Sequence, residues 1–177
     1  MNIIGIDPGL NGGICVLNPT GIVDIIKMPL CTRPHRKGNY IDLKIVYEFI
    51  TKYTSNNVEI VEGIYIERQF ILRSQGMSSG SKTMYQFGLL HGLCFAQCDN
   101  LQEINAQDWQ TSIFKKVNPD DINPYNYKKT KLPAIAYVEQ TYGNSYLFTS
   151  KRQTKPSDGL ADAICIAAYG LSLKKSH

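Results

Sequence analysis

The sequence predicts an α/β protein with a five-stranded mixed sheet, an antiparallel three-strand meander followed by two parallel strands, flanked by helices. Three observations carry this. Ile3, Ile4 and Ile6 form a short unbroken apolar run, the pattern of a strand buried on both faces. Beyond residue 40, strand-like runs alternate with helix-spaced ones, giving the order βββ-α-β-α-β-α-α of a layered fold. No internal repeat or interdomain linker interrupts the 177 residues, so residues 1–177 are read as a single domain.

The first strand ends at Asp7, and Pro8-Gly9 turns the chain. Ile14 to Leu17 and Ile22 to Met28 read as two more strands joined by the turn Asn18-Pro-Thr-Gly21. The polar, basic stretch Cys31 to Tyr40, with Arg33, His35, Arg36 and Lys37, reads as a mobile loop. Ile45, Val46, Phe49, Ile50 and Tyr53 are spaced for a helix with one buried face. Ile64-Tyr-Ile66-Glu67 is a strand that again ends in an acid.

Gly76 to Gly80 is a Ser/Gly loop leading into a long helix over Ser81 to Gln97. That helix is apolar nearly all round, and Gly88, Gly92 and Ala96 form a small-residue ridge along it. Two apolar faces call for two partners, the helix's own sheet and a second subunit. Leu101 to Ile104 follows as a strand, and Asn105 to Lys116 as a helix with the only tryptophan, Trp109. Residues 117–127 are a Pro/Asn-rich loop or insertion, Lys128 to Tyr142 a helix, and Ser157 to Leu173 the last helix. The core face of that last helix is expected to be Ala161, Ile164, Cys165, Ala168 and Leu171.

Composition excludes more than it selects. A hydrophobic share of 43% with 19% charged residues is that of a globular chain, not a disordered one. Asn2 opens a strand rather than a signal peptide, and no apolar run is long enough to cross a bilayer. Five cysteines without a CxxC pair point to a reducing, cytoplasmic compartment. His91, Cys94 and Cys98 share a helical face but lack the fourth partner of a zinc site, and buried thiols are the commoner outcome. His91 reads better as a core histidine with its polar atoms satisfied. A net charge of +4 permits nucleic-acid binding without proving it.

The chemistry lies in the acids. Asp7 and Glu67 end strands, and Asp158 and Asp162 lie one turn apart at the start of the last helix. A turn-capping role competes for Asp7, and attraction to the helix N-terminus competes for Asp158. Neither explains Asp162, a turn further in beside an apolar stripe. Oxygen-only donors from three elements suit Mg²⁺ or Mn²⁺, and two such ions can hold a phosphate between attacking water and leaving oxygen.

With these residues in view, the chain resembles the RuvC-type Holliday-junction resolvases of the ribonuclease H-like superfamily, its phage-type members included. Ile4-Gly-Ile-Asp7-Pro-Gly9 is similar to the family's opening strand, and Tyr65-Ile-Glu67-Arg-Gln-Phe70 to the strand with its ligand Glu and a following aromatic. Gln75-Gly76 with Gly88 and Gly92 resembles the run into the dimer-forming helix. Ile104-Asn-Ala-Gln-Asp-Trp109 resembles a segment of phage-type members, and Ala161-Asp162-Ala163 the family's C-terminal acid. One departure stands out: the family's second acid or His, three residues before the last Asp, is Gly159 here, with Asp158 the natural substitute.

The resemblance implies a ribonuclease H-like fold and a homodimeric endonuclease that resolves four-way or related branched DNA junctions. It implies two Mg²⁺ (or Mn²⁺) ions held by Asp7, Glu67, Asp158 and Asp162, hydrolysis leaving 5′-phosphate and 3′-hydroxyl ends, and a prokaryotic or phage-infected host. Phe70 would stack at the branch point. Arg33, Arg36, Lys37, Arg68, Arg73, Lys128, Lys129, Lys131, Lys151 and Arg152 would contact phosphates. A cutter of RNA/DNA hybrids on the same fold is the nearest rival. An actin-like ATPase fragment shares the Gly5-Ile-Asp7-x-Gly9 turn but needs a second phosphate loop and a longer chain. A junction binder without catalysis leaves the full acid set unexplained.

Overall fold

The structure, a computed structural model, describes residues 1–34, 36–55, 60–70, 76–117, 132–150 and 152–174, without the side chains of residues 36, 37, 77 and 132. Its elements run β1 (Asn2–Asp7), β2 (Gly13–Asn18), β3 (Gly21–Lys27), β4 (Leu30–Arg33), β5 (Arg36–Ile41), α1 (Leu43–Thr54) and β6 (Val61–Glu67). There follow α2 (Met77–Gln97), β7 (Leu101–Ile104), α3 (Ala106–Phe114), α4 (Leu132–Tyr142), a 3₁₀ turn (Asn144–Leu147) and α5 (Asp158–Lys174).

The main sheet has the order β3-β2-β1-β6-β7. β1, β2 and β3 pair antiparallel, whereas β6 joins β1 in parallel and β7 joins β6 in parallel. This is the predicted five-stranded mixed sheet. Alternation sorts each strand's residues between two cores. Ile4, Ile6, Ile14, Val16, Ile64 and Ile66 face α1 and α2. Ile3, Cys15, Leu17 and Tyr65 face α3, α4 and α5.

Helix α5 lies directly on β1. A Cβ at Gly5 would come within 2.3 Å of the Ala167 nitrogen and 2.5 Å of the Ala163 oxygen, so only glycine admits the helix this closely. Five of its positions (158, 162, 169, 172 and 174) are half-buried, Leu173 is exposed and the rest are buried, a wider core face than the five residues expected. The reason is that α5 is wedged between the sheet and both α3 and α4.

Two other expectations change. The stretch 31–40 is not a loop: Leu30–Arg33 and Arg36–Ile41 pair as an antiparallel hairpin. Its polar sequence hid two anchors. Ile41 is buried and donates its N–H to Gln86 at 2.8 Å, and the buried Tyr40 ring carries the Arg33 guanidinium at 4.9 Å and the Lys82 ammonium at 4.2 Å. Second, α2 begins at Met77, so most of the Ser/Gly stretch is helix, with Ser79 and Gly80 donating to the Gly76 carbonyl. The helix expected over 128–142 is present from Leu132; residues 128–131, and 118–127 of the Pro/Asn-rich segment, lie outside the described residues.

Candidate active site

The register of β1 and β6 brings the first two acids together. Ile6 is paired with Ile66, so Asp7 and Glu67 leave adjacent parallel strands one step later, at the same edge of the sheet. Both isoleucines face α1 and α2, which turns the two acids toward the α5 side. Asp7 is held by its own turn: the Gly9 N–H donates to its Oδ1 at 3.0 Å. The turn-capping role therefore holds for Asp7, and the hydrogen bond that serves it falls on one carboxylate oxygen, Oδ1.

Glu67 is held by a residue that sequence reasoning did not place in the site. The Trp109 indole N–H donates to Glu67 Oε2 at 2.8 Å. Burial pushes the Glu67 carboxyl above the usual carboxylate range, and the Trp109 hydrogen bond offsets part of that rise. A costly half-buried carboxylate with no cationic side-chain partner among the described residues is the kind of group that a bound cation compensates. The sequence offered only half of the signal: a buried indole needs an acceptor, but nothing local says which one.

The start of the last helix lies beside the loop that follows Asp7. Asp162 precedes Ala163, whose carbonyl oxygen meets Gly5, two residues before Asp7 on the same face of β1. Its charge adds to burial in raising the Cys165 thiol well above its ordinary range. Asp158 begins α5 and lines a cleft of about 280 Å³ with Leu10, Asn11, Gly12, Lys27, Met28, Leu30 and Ser157. That cleft opens on the β2–β3 side of the Asp7 turn, whereas Glu67 lies on the β6 side.

A second cleft, about 350 Å³, lies under the same turn on the α2 face, lined by Pro8, Gly9, Gln69, Ser79, Lys82, Thr83 and Gln86 among others. Lys82 was not among the expected basic contacts. A broader depression on α3, about 680 Å³, is lined by Gln107, Gln110, Phe114 and Lys115 and holds none of the site acids.

Of the expected DNA contacts, Phe70 is 58% exposed just beyond Glu67. Arg68 donates its Nε to Glu103 at 2.8 Å, and the other oxygen of Glu103 meets His91 Nε2 at 2.9 Å. His91 is thus satisfied by an acid across to β7. Arg33 stacks on Tyr40 and Tyr85. Arg36 and Lys37 lie on β5. Arg152 is exposed in a loop that Gln153 braces through Thr149, Leu147 and Lys155. Arg73, Lys128, Lys129, Lys131 and Lys151 lie outside the described residues.

As the described side chains stand, no three His, Cys, Asp or Glu groups converge tightly enough to grip one ion. The donor chemistry nevertheless fits Mg²⁺ or Mn²⁺, being carboxylate throughout, with Asp7 and Glu67 on one edge and one of them costly to keep charged. The five cysteines are all free thiols, and burial pushes Cys94 up to about 12. Among the described residues, no helix is long and apolar enough to cross a membrane.

No protein-family model matches the chain, and no curated protein sequence matches it either. Solved structures do. A T. thermophilus RuvC in complex with a Holliday junction substrate superimposes with a TM-score of 0.56 at 16% identity, over 99% of this chain and 96% of that one. A second Thermus thermophilus RuvC structure gives 0.53 at 18% identity, over 99% and 97%. Likeness over the full length of both chains, at so low an identity, establishes the architecture: this chain has the ribonuclease H-like fold of RuvC.

Proposed function

We propose that this protein is a metal-dependent, structure-selective DNA endonuclease that resolves four-way or related branched junctions by paired nicks, serving recombination or repair. The observation that carries the reading is the Ile6–Ile66 register, which sets Asp7 and Glu67 side by side on the face that α5 covers. A junction substrate is favoured because one solved structure sharing the fold is a RuvC holding a Holliday junction.

In this reading Asp7, Glu67, Asp158 and Asp162 hold the ions. When bound, Mg²⁺ or Mn²⁺ supplies Lewis-acid stabilisation of charge on the phosphate and makes water more acidic. The chain's own contribution is orientation. The Gly9 N–H fixes one oxygen of Asp7, and β1 sets where that carboxylate emerges. Phe70 offers an exposed ring to unpaired bases beside the acids. Arg33, Lys82 and Arg152 contact backbone phosphates, which positions DNA without reading its sequence. The exposed stripe of α2, with Tyr85, Gly88, Gly92 and Phe95, joins two copies so that two sites face opposed strands.

The test is a cleavage panel of labelled four-way, Y-shaped and linear duplex DNA and an RNA/DNA hybrid, each with Mg²⁺ or Mn²⁺, using wild type and Asp7→Asn. Paired nicks with 5′-phosphate ends in branched DNA, lost in Asp7→Asn while junction binding persists, are expected. Preferential cutting of the hybrid's RNA strand assigns the site to the rival nuclease class. Cutting by Asp7→Asn overturns the site.

A further inference from the structure

The structure gives the Glu67 carboxylate one hydrogen-bond partner among the described residues, and it is neutral. Trp109 is fully buried and is locked by its surroundings: Ile113 packs in the same core, and the Phe114 ring meets the indole edge-on at 5.6 Å and 83°. Its position follows from topology. Glu67 pairs with Ile104 on β7, the Arg68 N–H donates to the Ile104 carbonyl, and α3 starts two residues after Ile104. The strand that neighbours Glu67 thus carries, at its end, the helix that grips it.

A neutral donor suits a carboxylate that must stay available to a cation. A lysine or arginine at this place would compete with the ion for the charge, whereas an indole N–H orients one oxygen and leaves the charge in place. We infer that Trp109 is a positioning residue, whose indole N–H fixes the orientation in which Glu67 presents its carboxylate to a divalent cation. The inference rests on the reading of Glu67 as a cation ligand. The competing account is that Trp109 only fills the core and Glu67 only satisfies its N–H.

Phenylalanine separates the two, because Trp109→Phe keeps an aromatic ring against Phe114 and removes the N–H. A positioning role predicts a cleavage rate on branched DNA lower by about 10–100-fold, a higher Mn²⁺ concentration at half-maximal cutting and unchanged junction affinity. A purely structural role lowers the melting temperature while the Mn²⁺ midpoint stays put. Because Trp109 is the chain's only tryptophan, wild-type emission gives a readout independent of both cutting and mutant folding. Mn²⁺ titrated into DNA-free wild type should change that emission, and Glu67→Gln, whose side-chain oxygen still accepts the N–H, should not respond. Unchanged emission at Mn²⁺ levels that support cutting overturns the inference, as does a folded Trp109→Phe with wild-type rate and midpoint. If Glu67→Gln itself cuts normally, the assignment of Glu67 as a ligand is what fails.

Discussion

A Cβ on Gly159 would stand 2.0 Å from the carbonyl oxygen of Asn11 and 2.6 Å from the Gly12 Cα. The first turn of α5 therefore seats against the backbone of the loop that follows Asp7. The position expected, from the resemblance to RuvC-type proteins, to carry an acid or a His three residues before the last Asp is closed to any side chain in this protein. Gly12 is closed by its own turn: a Cβ there would meet the Asp7 carbonyl oxygen at 2.1 Å. Gly159 thus lets the helix backbone approach that loop, and Asp158 stands one residue before it.

Restoring the family's acid as Gly159→Asp should therefore damage the protein rather than improve it. Overpacking against side chains costs about 1–3 kcal/mol, and the neighbours in this case are backbone atoms that cannot rotate away. A melting temperature lower by several degrees, with cutting reduced in step, is the expected result in thermal melts and junction assays. A variant as stable as wild type with faster cutting contradicts the close approach of the two backbones.

Much of this was legible in sequence because it is local. The isoleucine run of β1 is apolar on both faces, and its burial is complete at Ile3, Ile4 and Ile6. Asp7, Glu67 and Asp162 stood out because each breaks an apolar pattern at the end or flank of an element. What was not legible is what depends on tertiary approach. Neither the Trp109–Glu67 hydrogen bond nor the Gly159–Asn11 contact leaves a periodic trace, since each joins residues far apart in the chain. The β4–β5 hairpin was obscured because its strands are polar, and its anchor, the Tyr40 ring under Arg33 and Lys82, draws one of its two cations from the distant helix α2.

The α2 surface makes a test of assembly possible. A Cβ at Gly88 or Gly92 meets nothing within 4 Å, and Phe95 is 64% exposed on the same stripe. Glu at either glycine is accommodated by the isolated subunit, and replacing an exposed helical Gly gains some helix propensity, up to about 1 kcal/mol. Sedimentation should show wild type as a dimer at micromolar concentration, and Gly88→Glu or Gly92→Glu as folded monomers that no longer make paired nicks. A monomeric wild type removes the proposed interface.

Phe70→Ala should reduce cutting of branched DNA far more than it reduces stability. Truncating a ring that stacks on a base loses about 1–3 kcal/mol of binding, while a side chain 58% exposed contributes little to the fold. Parallel measurements of junction cleavage and melting temperature decide it. Intact cutting with a melt several degrees lower marks Phe70 as a packing residue.

Acid should weaken the protein partly through Asp24, away from the site. Burial pushes this carboxyl up, but hydrogen bonds from the Tyr53 hydroxyl, Lys52 and the Ile25 N–H outweigh it and hold it below its ordinary value. A depressed pKa means that the stabilisation is complete above the unfolded-state value of about 3.9 and is lost as pH falls through the folded one. Melts of wild type and Asp24→Asn should differ by a constant amount near neutrality and converge as the pH drops below about 4. A gap that widens in acid contradicts the assignment.

The two acids of α5 should prove unequal. Both lie on the helix's half-buried stripe, but they face different surroundings. Asp162 is one residue from Ala163, which rests on Gly5 under the Asp7 edge, inside regular helix where the backbone holds it firmly. Asp158 opens the helix and shares its cleft with Lys27 and the Leu10–Gly12 turn, so first-turn geometry sets its reach. If both hold ions, losing the rigid ligand removes the site, and losing the softer one weakens it. Asp162→Asn should end cutting in Mg²⁺ and Mn²⁺ alike. Asp158→Asn should cut poorly in Mg²⁺ and recover in part at high Mn²⁺, which tolerates an incomplete set of oxygen donors. Rates on a four-way junction across a titration of each ion check this. Normal cutting by Asp158→Asn in millimolar Mg²⁺ leaves Asp158 as an acid stabilising the start of α5 through the helix dipole, with the ions held by Asp7, Glu67 and Asp162.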